Sequence, residues 1–146
     1  MKELKIYLAG KMSGLSHAEM INWRIEISKR LQETVRFYGC NLDIINPVYY
    51  YNFEKQDYQS DKEVKEFDLK HVVTSDIVIV NLDGLNTSDG TKYEISQAAR
   101  NHSIPVIAFG DKKLYDEMHP WIRDDITRVE DDMDSVVTYI SNFYMR

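Results

Sequence analysis

The sequence has a single cysteine, Cys40. No internal disulfide framework is possible, and a reducing compartment suits the chain. A basic stripe is also missing. The net charge is −6, with 24 acidic against 18 basic side chains, whereas a binder of nucleic-acid polymers concentrates Lys and Arg on one face. One small anion at a local site is still compatible with that balance. No apolar run reaches the length of a membrane span, and Met1-Lys2-Glu3-Leu4-Lys5 leads into a strand pattern without the apolar centre of a secretory signal. A cytoplasmic protein with no membrane partner is expected. The four histidines, His17, His71, His102 and His119, are scattered without ligand spacing, so no metal is expected. No repeat, low-complexity tract or linker interrupts the chain. What is present is 146 residues, 43% hydrophobic and 29% charged. That is enough for one domain, residues 1–146, with a real core.

The most informative stretch is residues 75–94. Residues 77–82 are apolar apart from Asn81, as in a strand buried on both faces. A polar loop rich in turn formers follows over residues 83–90. A helix is then expected, with Thr91 as its cap and Ile95, Ala98 and Ala99 at helical spacing. A loop at a strand's carboxyl end that opens into a helix N-terminus is where open α/β sheets bind ligands. Free backbone amides and the helix dipole favour an anion there.

The rest of the chain alternates. Strands are expected over residues 4–9, 42–45, 104–109 and, briefly, 126–129. Helices are expected over 17–37, 61–74 and 131–144, with a short one between Lys112 and Pro120. In the first helix Met20, Ile21, Ile25, Ile27, Leu31 and Val35 form the apolar stripe, Trp23 packs and Arg24 is solvated. Gly10-Lys11-Met12-Ser13-Gly14-Leu15-Ser16 is either a loop whose backbone closely approaches a ligand or a simple turn. It lacks the Gly-Lys-Ser/Thr ending of a P-loop. Val48-Tyr49-Tyr50-Tyr51-Asn52-Phe53 holds four aromatics. Packing is the expected fate of most, with one or two left to face a planar ligand, and the run also suits a subunit interface. Residues 54–62 form a polar lid candidate. The alternation predicts a single-domain α/β fold: a doubly wound parallel sheet of about five strands in a flavodoxin- or Rossmann-like three-layer sandwich.

Two readings of Glu94 stay open on spacing alone. It lies one turn into a helix behind Asp83, Ser88, Asp89 and Thr91, where a carboxylate can attack an anomeric carbon. Thr91-Lys92-Tyr93-Glu94 is equally a capping box, with Glu94 bonded back to the Thr91 backbone. Cys40 reads as a small core residue. The acidic cluster Asp124, Asp125, Glu130, Asp131, Asp132 and Asp134 reads as solvated surface plus a helix N-terminus.

Three segments carry a resemblance. They are Lys5-Ile6-Tyr7-Leu8-Ala9-Gly10; Asp68-Leu69 with Ser75-Asp76-Ile77-Val78-Ile79-Val80-Asn81-Leu82-Asp83-Gly84; and Ser88-Asp89-Gly90-Thr91-Lys92-Tyr93-Glu94, followed by Ala98-Ala99 and Ile104-Pro105-Val106-Ile107. In this order the chain resembles the nucleoside 2-deoxyribosyltransferase family through about Phe109, including the related 5′-monophosphate N-glycosidases. The resemblance implies Glu94 as the nucleophile at C1′ of a 2′-deoxyribosyl group. Asp68 would protonate or orient the leaving base, and Tyr7 would hold the carboxylate of Glu94. Gly10, Asp83, Ser88, Asp89 and Gly90 would shape the substrate pocket. It implies no cofactor, a small nucleoside or nucleotide as partner, nucleotide salvage as the setting, and a homo-oligomer. Base-exchanging members often carry Asp where this chain has Ser88. Serine there is a feature of the monophosphate N-glycosidases, so weight moves towards a nucleotide, with Lys11 or Arg24 available as a phosphate cation. Asp89 would oppose a phosphate if it faced inward. A catalytically silent nucleotide sensor and a ribonucleotide N-glycosidase are the alternatives.

Overall fold

A computed structural model describes residues 2–51 and 55–146. Met1 lies outside the described residues. So do Asn52 and Phe53 of the aromatic run and Glu54 at the start of the lid candidate. The elements follow in order: β1 (Lys2–Ala9), α1 (His17–Val35), β2 (Cys40–Ile45), α2 (Asp61–Val73), β3 (Ile77–Asn81), α3 (Asp89–Ser96), β4 (Val106–Phe109), α4 (Lys112–Asp116), α5 (Pro120–Asp124), β5 (Arg128–Glu130) and α6 (Met133–Phe143). The five strands form one all-parallel sheet in the order β2-β1-β3-β4-β5. The order reverses between β1 and β3, and in such sheets the crevice at the strands' carboxyl ends there is the ligand position.

Strand alternation decides which helix each residue meets. Ile6, Leu8, Ile77, Ile79 and Ile107 face Ile27, Leu31 and Val35 of α1 and Val136, Val137 and Ile140 of α6. Tyr7, Ala9, Val78, Val80 and Ala108 face Val72 of α2, Ile95 of α3 and Ala98. Both faces are covered, which is why residues 77–80 are uniformly buried. Ser16 and Ser60 open α1 and α2 with complete capping boxes to Glu19 and Glu63. Asp132 caps α6 by accepting from the Ser135 amide at 2.8 Å.

Several expectations are corrected. The helix after β3 starts at Asp89, not Thr91, and passes into a π-helical stretch, Gln97–Asn101. Helix α5 goes beyond the single short helix expected before Pro120; proline at its first turn initiates it. Ile25 is 45% exposed and does not belong to the buried stripe of α1, because Arg24 takes the neighbouring inward position. Tyr49 stays largely exposed, since the short 3-10 turn Pro47–Tyr50 turns Val48 into the core, while the half-exposed Tyr50 ring stacks on His71 of α2 with centroids 5.2 Å apart. Asp125 is buried against Arg100, at 3.1 Å, in contrast to the solvated cluster expected.

Candidate active site

Tyr7 lies on the face of β1 that meets α2 and α3 and is 1% exposed. Its hydroxyl donates to Glu94 Oε2 at 2.5 Å. The capping reading of Glu94 is thereby overturned. Ser88 is the N-cap residue of α3, so the helix position that a capping box would use is Thr91, not Glu94. Thr91 itself is buried, with its hydroxyl 2.7 Å from that of Ser88. The chain reaches this cap through a turn at Gly84, whose φ of +73° suits glycine, and through the 3-10 turn Leu85–Thr87.

Asp68 arrives from α2. It accepts a hydrogen bond from the Tyr51 hydroxyl, a residue that sequence reading placed only within an aromatic run. The signal for Tyr51 was weak, because four neighbouring aromatics share one local pattern and only the fold selects which one reaches α2. Arg24 corrects the solvated expectation outright. It is fully buried, and its guanidinium donates to the carbonyls of Met20 (2.6 Å), Gly10 (3.1 Å) and Leu8 (3.3 Å).

Burial raises the pKa of Glu94 to about 8, with a further push from the Asp68 charge; the Tyr7 hydrogen bond and Arg24 pull the other way. Burial also raises Asp68, against opposing pulls from the Tyr51 hydrogen bond and Arg24. The Tyr7 hydroxyl is pushed far up, chiefly by burial and then by the charges of Glu94 and Asp68, so it serves as a donor rather than an acid. Two carboxyls raised in one pocket titrate as a pair, and the state between their ionisations carries one proton and one negative charge.

A stability effect follows from the raised Glu94 pKa. The ordinary carboxyl value is 4.5 and the folded value about 8, so the folded state holds the extra proton between them. Stability contributed by the neutral form is full below the lower value and is lost as pH rises through the window. Glu94→Gln removes that loss. Its melting temperature is expected to exceed wild type by a few degrees near pH 8.5, with the difference gone near pH 4; paired thermal melts check this.

The other expected residues separate. Ser88, Asp89 and Gly90 form the start of α3, one turn before Glu94, with Asp89 and Gly90 exposed. Asp83 lies elsewhere. With Lys11, Asn22, Trp23, Asn81 and Gly84 it lines a cleft of about 460 Å³ beside α1, at the carboxyl ends of β1 and β3. The space beside Gly10 is taken by the protein itself. A Cβ there would lie 2.7 Å from the Trp23 ring and 3.4 Å from the Arg24 guanidinium, so packing alone requires glycine at this position. Lys11 crosses to the loop after β3 and donates to the Thr87 hydroxyl at 2.8 Å. Among the described residues no three His, Cys, Asp or Glu side chains are grouped to hold a metal ion.

The site therefore combines a part-buried carboxylate that accepts from Tyr7 and a second carboxyl of raised pKa, with the buried Arg24 among the charges that act on both. Residues 6–132 match the nucleoside 2-deoxyribosyltransferase family. Among solved structures, a conserved protein from Enterococcus faecalis V583 superposes with a TM-score of 0.72 at 19% identity, over 96% of this chain and 98% of that one. A 2-deoxyribosyltransferase from the psychrotolerant bacterium Bacillus psychrosaccharolyticus gives 0.65 at 20% identity, over 92% and 91%. The CMP N-glycosidase BcmB of Clostridium botulinum gives 0.57 at 16% identity, over 95% and 98%. At these identities the likeness is one of fold. No curated protein matches the chain.

Proposed function

Because the chain belongs to the nucleoside 2-deoxyribosyltransferase family, a class of glycosyl-transferring and N-glycosidic enzymes, we propose that it cleaves or exchanges the N-glycosidic bond of 2′-deoxyribonucleosides or their 5′-monophosphates through a covalent intermediate on Glu94. The observation that carries this reading is the 2.5 Å bond from the Tyr7 hydroxyl to Glu94 Oε2. That bond orients the carboxylate and leaves Oε1 for the substrate.

In the first half-reaction a Glu94 oxygen forms a bond to C1′ as the C1′–N bond breaks. The bonding electron pair leaves with the base nitrogen, and the Asp68 carboxyl, whose pKa burial also raises, supplies its proton. The developing oxocarbenium charge is met by the carboxylate. In the second half-reaction an acceptor base or water attacks C1′, its proton goes to Asp68, and the Glu94 carboxylate leaves. Two inversions give net retention.

Tyr7→Phe should raise the pKa of Glu94, because the lost hydrogen bond favours the ionised form. A charge-assisted bond of this kind corresponds to a fall of about 10- to 100-fold in kcat/KM. Steady-state kinetics across pH check both effects.

One observation favours the 5′-monophosphate over the nucleoside. Lys11 is held at Thr87, directly before Ser88 and the start of α3, which puts a cation beside amides that suit an anion. Arg24 is committed to carbonyls and is withdrawn as a phosphate cation. The test is base release by chromatography over a panel of deoxynucleosides and their 5′-monophosphates, with and without acceptor base. Exchange marks a transferase, release alone marks a hydrolase, and binding without release marks a sensor.

A further inference from the structure

Tyr51 and Asp68 come from different elements and meet through one hydrogen bond, which the Tyr51 hydroxyl donates to Asp68 Oδ1. A short, anchored turn delivers the tyrosine. Asn46, directly after β2 and buried, accepts from the Val48 amide at 3.1 Å, and Val48 is itself buried. The 3-10 turn Pro47–Tyr50 therefore has a fixed base, and Tyr51 leaves it with extended backbone, φ −112° and ψ 132°. Its ring is held edge-on by Phe67 of α2 and by Tyr58, with centroids 6.2 and 6.0 Å away. Phe67 directly precedes Asp68, so one turn of α2 both packs the ring and offers the carboxyl. That packing does not need the hydroxyl, since a phenylalanine ring would fill the same place. What the hydroxyl adds is an occupied oxygen on Asp68, much as the Tyr7 hydroxyl occupies Oε2 of Glu94.

We propose that Tyr51 is the positioning residue of the acid: its hydroxyl takes Oδ1 of Asp68, so that the proton for the leaving base is delivered from Oδ2. A protonated carboxyl has one O–H donor, and an oxygen that already accepts from Tyr51 leaves the other to carry it. In the step, the Oδ2–H bond breaks and an N–H bond forms on the departing base. The negative charge left on Asp68 is met at Oδ1 by the Tyr51 hydroxyl, in a charge-assisted hydrogen bond. The hydroxyl thus favours the transfer that it orients. Burial alone would make Asp68 a reluctant acid, and the Tyr51 hydrogen bond works against that rise. Tyr51 keeps its own proton, because burial and then the hydrogen bond to Asp68 push its pKa far up. The other groups that act on the Asp68 charge are Arg24 from α1, Tyr7 from β1 and Glu94 from α3. The inference rests on the proposed role of Asp68 as the acid.

The test is Tyr51→Phe, which keeps the ring between Phe67 and Tyr58 and removes only the hydroxyl. Two readouts go beyond stability. The first is a carbon-13 NMR titration of the Asp68 carboxyl in protein labelled at aspartate Cγ, with the resonance assigned by its loss in Asp68→Asn. The midpoint is expected to rise by about one pH unit in Tyr51→Phe. The second is kcat/KM, expected to fall about tenfold for a nucleoside or monophosphate with an ordinary base, and by about twofold or less for an N-alkylated base that needs no proton. An unmoved midpoint overturns the proposal, and so does an equal loss on both substrates, which would leave Tyr51 a packing residue. If Tyr51→Phe does not fold, 3-fluorotyrosine installed at position 51 decides. Its stronger donor should lower the Asp68 midpoint by roughly a few tenths of a pH unit, and an unmoved or raised midpoint overturns the proposal. A shifted midpoint in a protein that cleaves nothing upholds the hold of Tyr51 on Asp68 and removes the glycosyl-transfer reading. An active wild type with no shift in the variant does the reverse.

Discussion

Glu94→Gln is expected to lower base release by about three orders of magnitude or more, with the protein still folded. The amide keeps the shape of the carboxyl and an oxygen to accept from Tyr7, so the 2.5 Å contact can survive. What is lost is the electron pair that bonds to C1′ and the negative charge that faces the oxocarbenium. Glu94→Ala should fall as far in activity and also lose the Tyr7 contact. A capping residue would behave differently, because its removal costs about 0.5–2 kcal/mol of stability with no direct effect on chemistry. Rates of free-base formation for the two variants and wild type, with melting curves alongside, separate these outcomes.

Asp68→Asn is expected to cost about 10²–10⁴-fold in kcat/KM, in a manner that depends on the leaving group. An ordinary purine or pyrimidine must receive a proton as the C1′–N bond breaks. A base already cationic through N-alkylation needs none, and with that substrate the loss should shrink to about tenfold or less. The pH profile should change as well. Attack needs Glu94 ionised, so the wild-type profile should rise with pH up to about 8, where Glu94 loses its proton. In Asp68→Asn that rise should move to lower pH, because the Asp68 charge is one of the forces that raises Glu94. Kinetics with a natural and an N-alkylated nucleoside across pH test both parts.

The fold was legible because its signals are strong and local. Residues 77–80 are apolar on both strand faces, and a sheet covered on both sides requires that. Ser16 with Glu19 and Ser60 with Glu63 announce helix starts that the structure keeps. The site was legible only in part. Glu94, Asp68 and Tyr7 emerged from order and spacing shared with a family, but the meeting of Tyr7 with Glu94 spans 87 positions, and no helical or strand period encodes it. Local pattern misled where two devices share a spacing: Thr91 to Glu94 fits a capping box, yet Ser88 starts the helix. Arg24 was misread because an arginine on an amphipathic helix usually points to water. Here its burial is decided by the carbonyls at the end of β1, which a reading of α1 alone does not include. Tyr51 was hidden among equals, and the fold alone selects it for Asp68.

Trapping the glycosyl-enzyme tests the central claim most directly. A 2′-deoxy-2′-fluoroarabinosyl nucleoside, or its 5′-monophosphate, carries an electron-withdrawing group that slows breakdown of an ester at C1′. Intact-mass spectrometry and peptide mapping then locate the sugar. The expected result is one sugar per chain, on the peptide that contains Glu94, lost on addition of an acceptor base or on prolonged incubation in water, and absent from Glu94→Gln. Release of base without any adduct, or an adduct on another residue, would contradict the account.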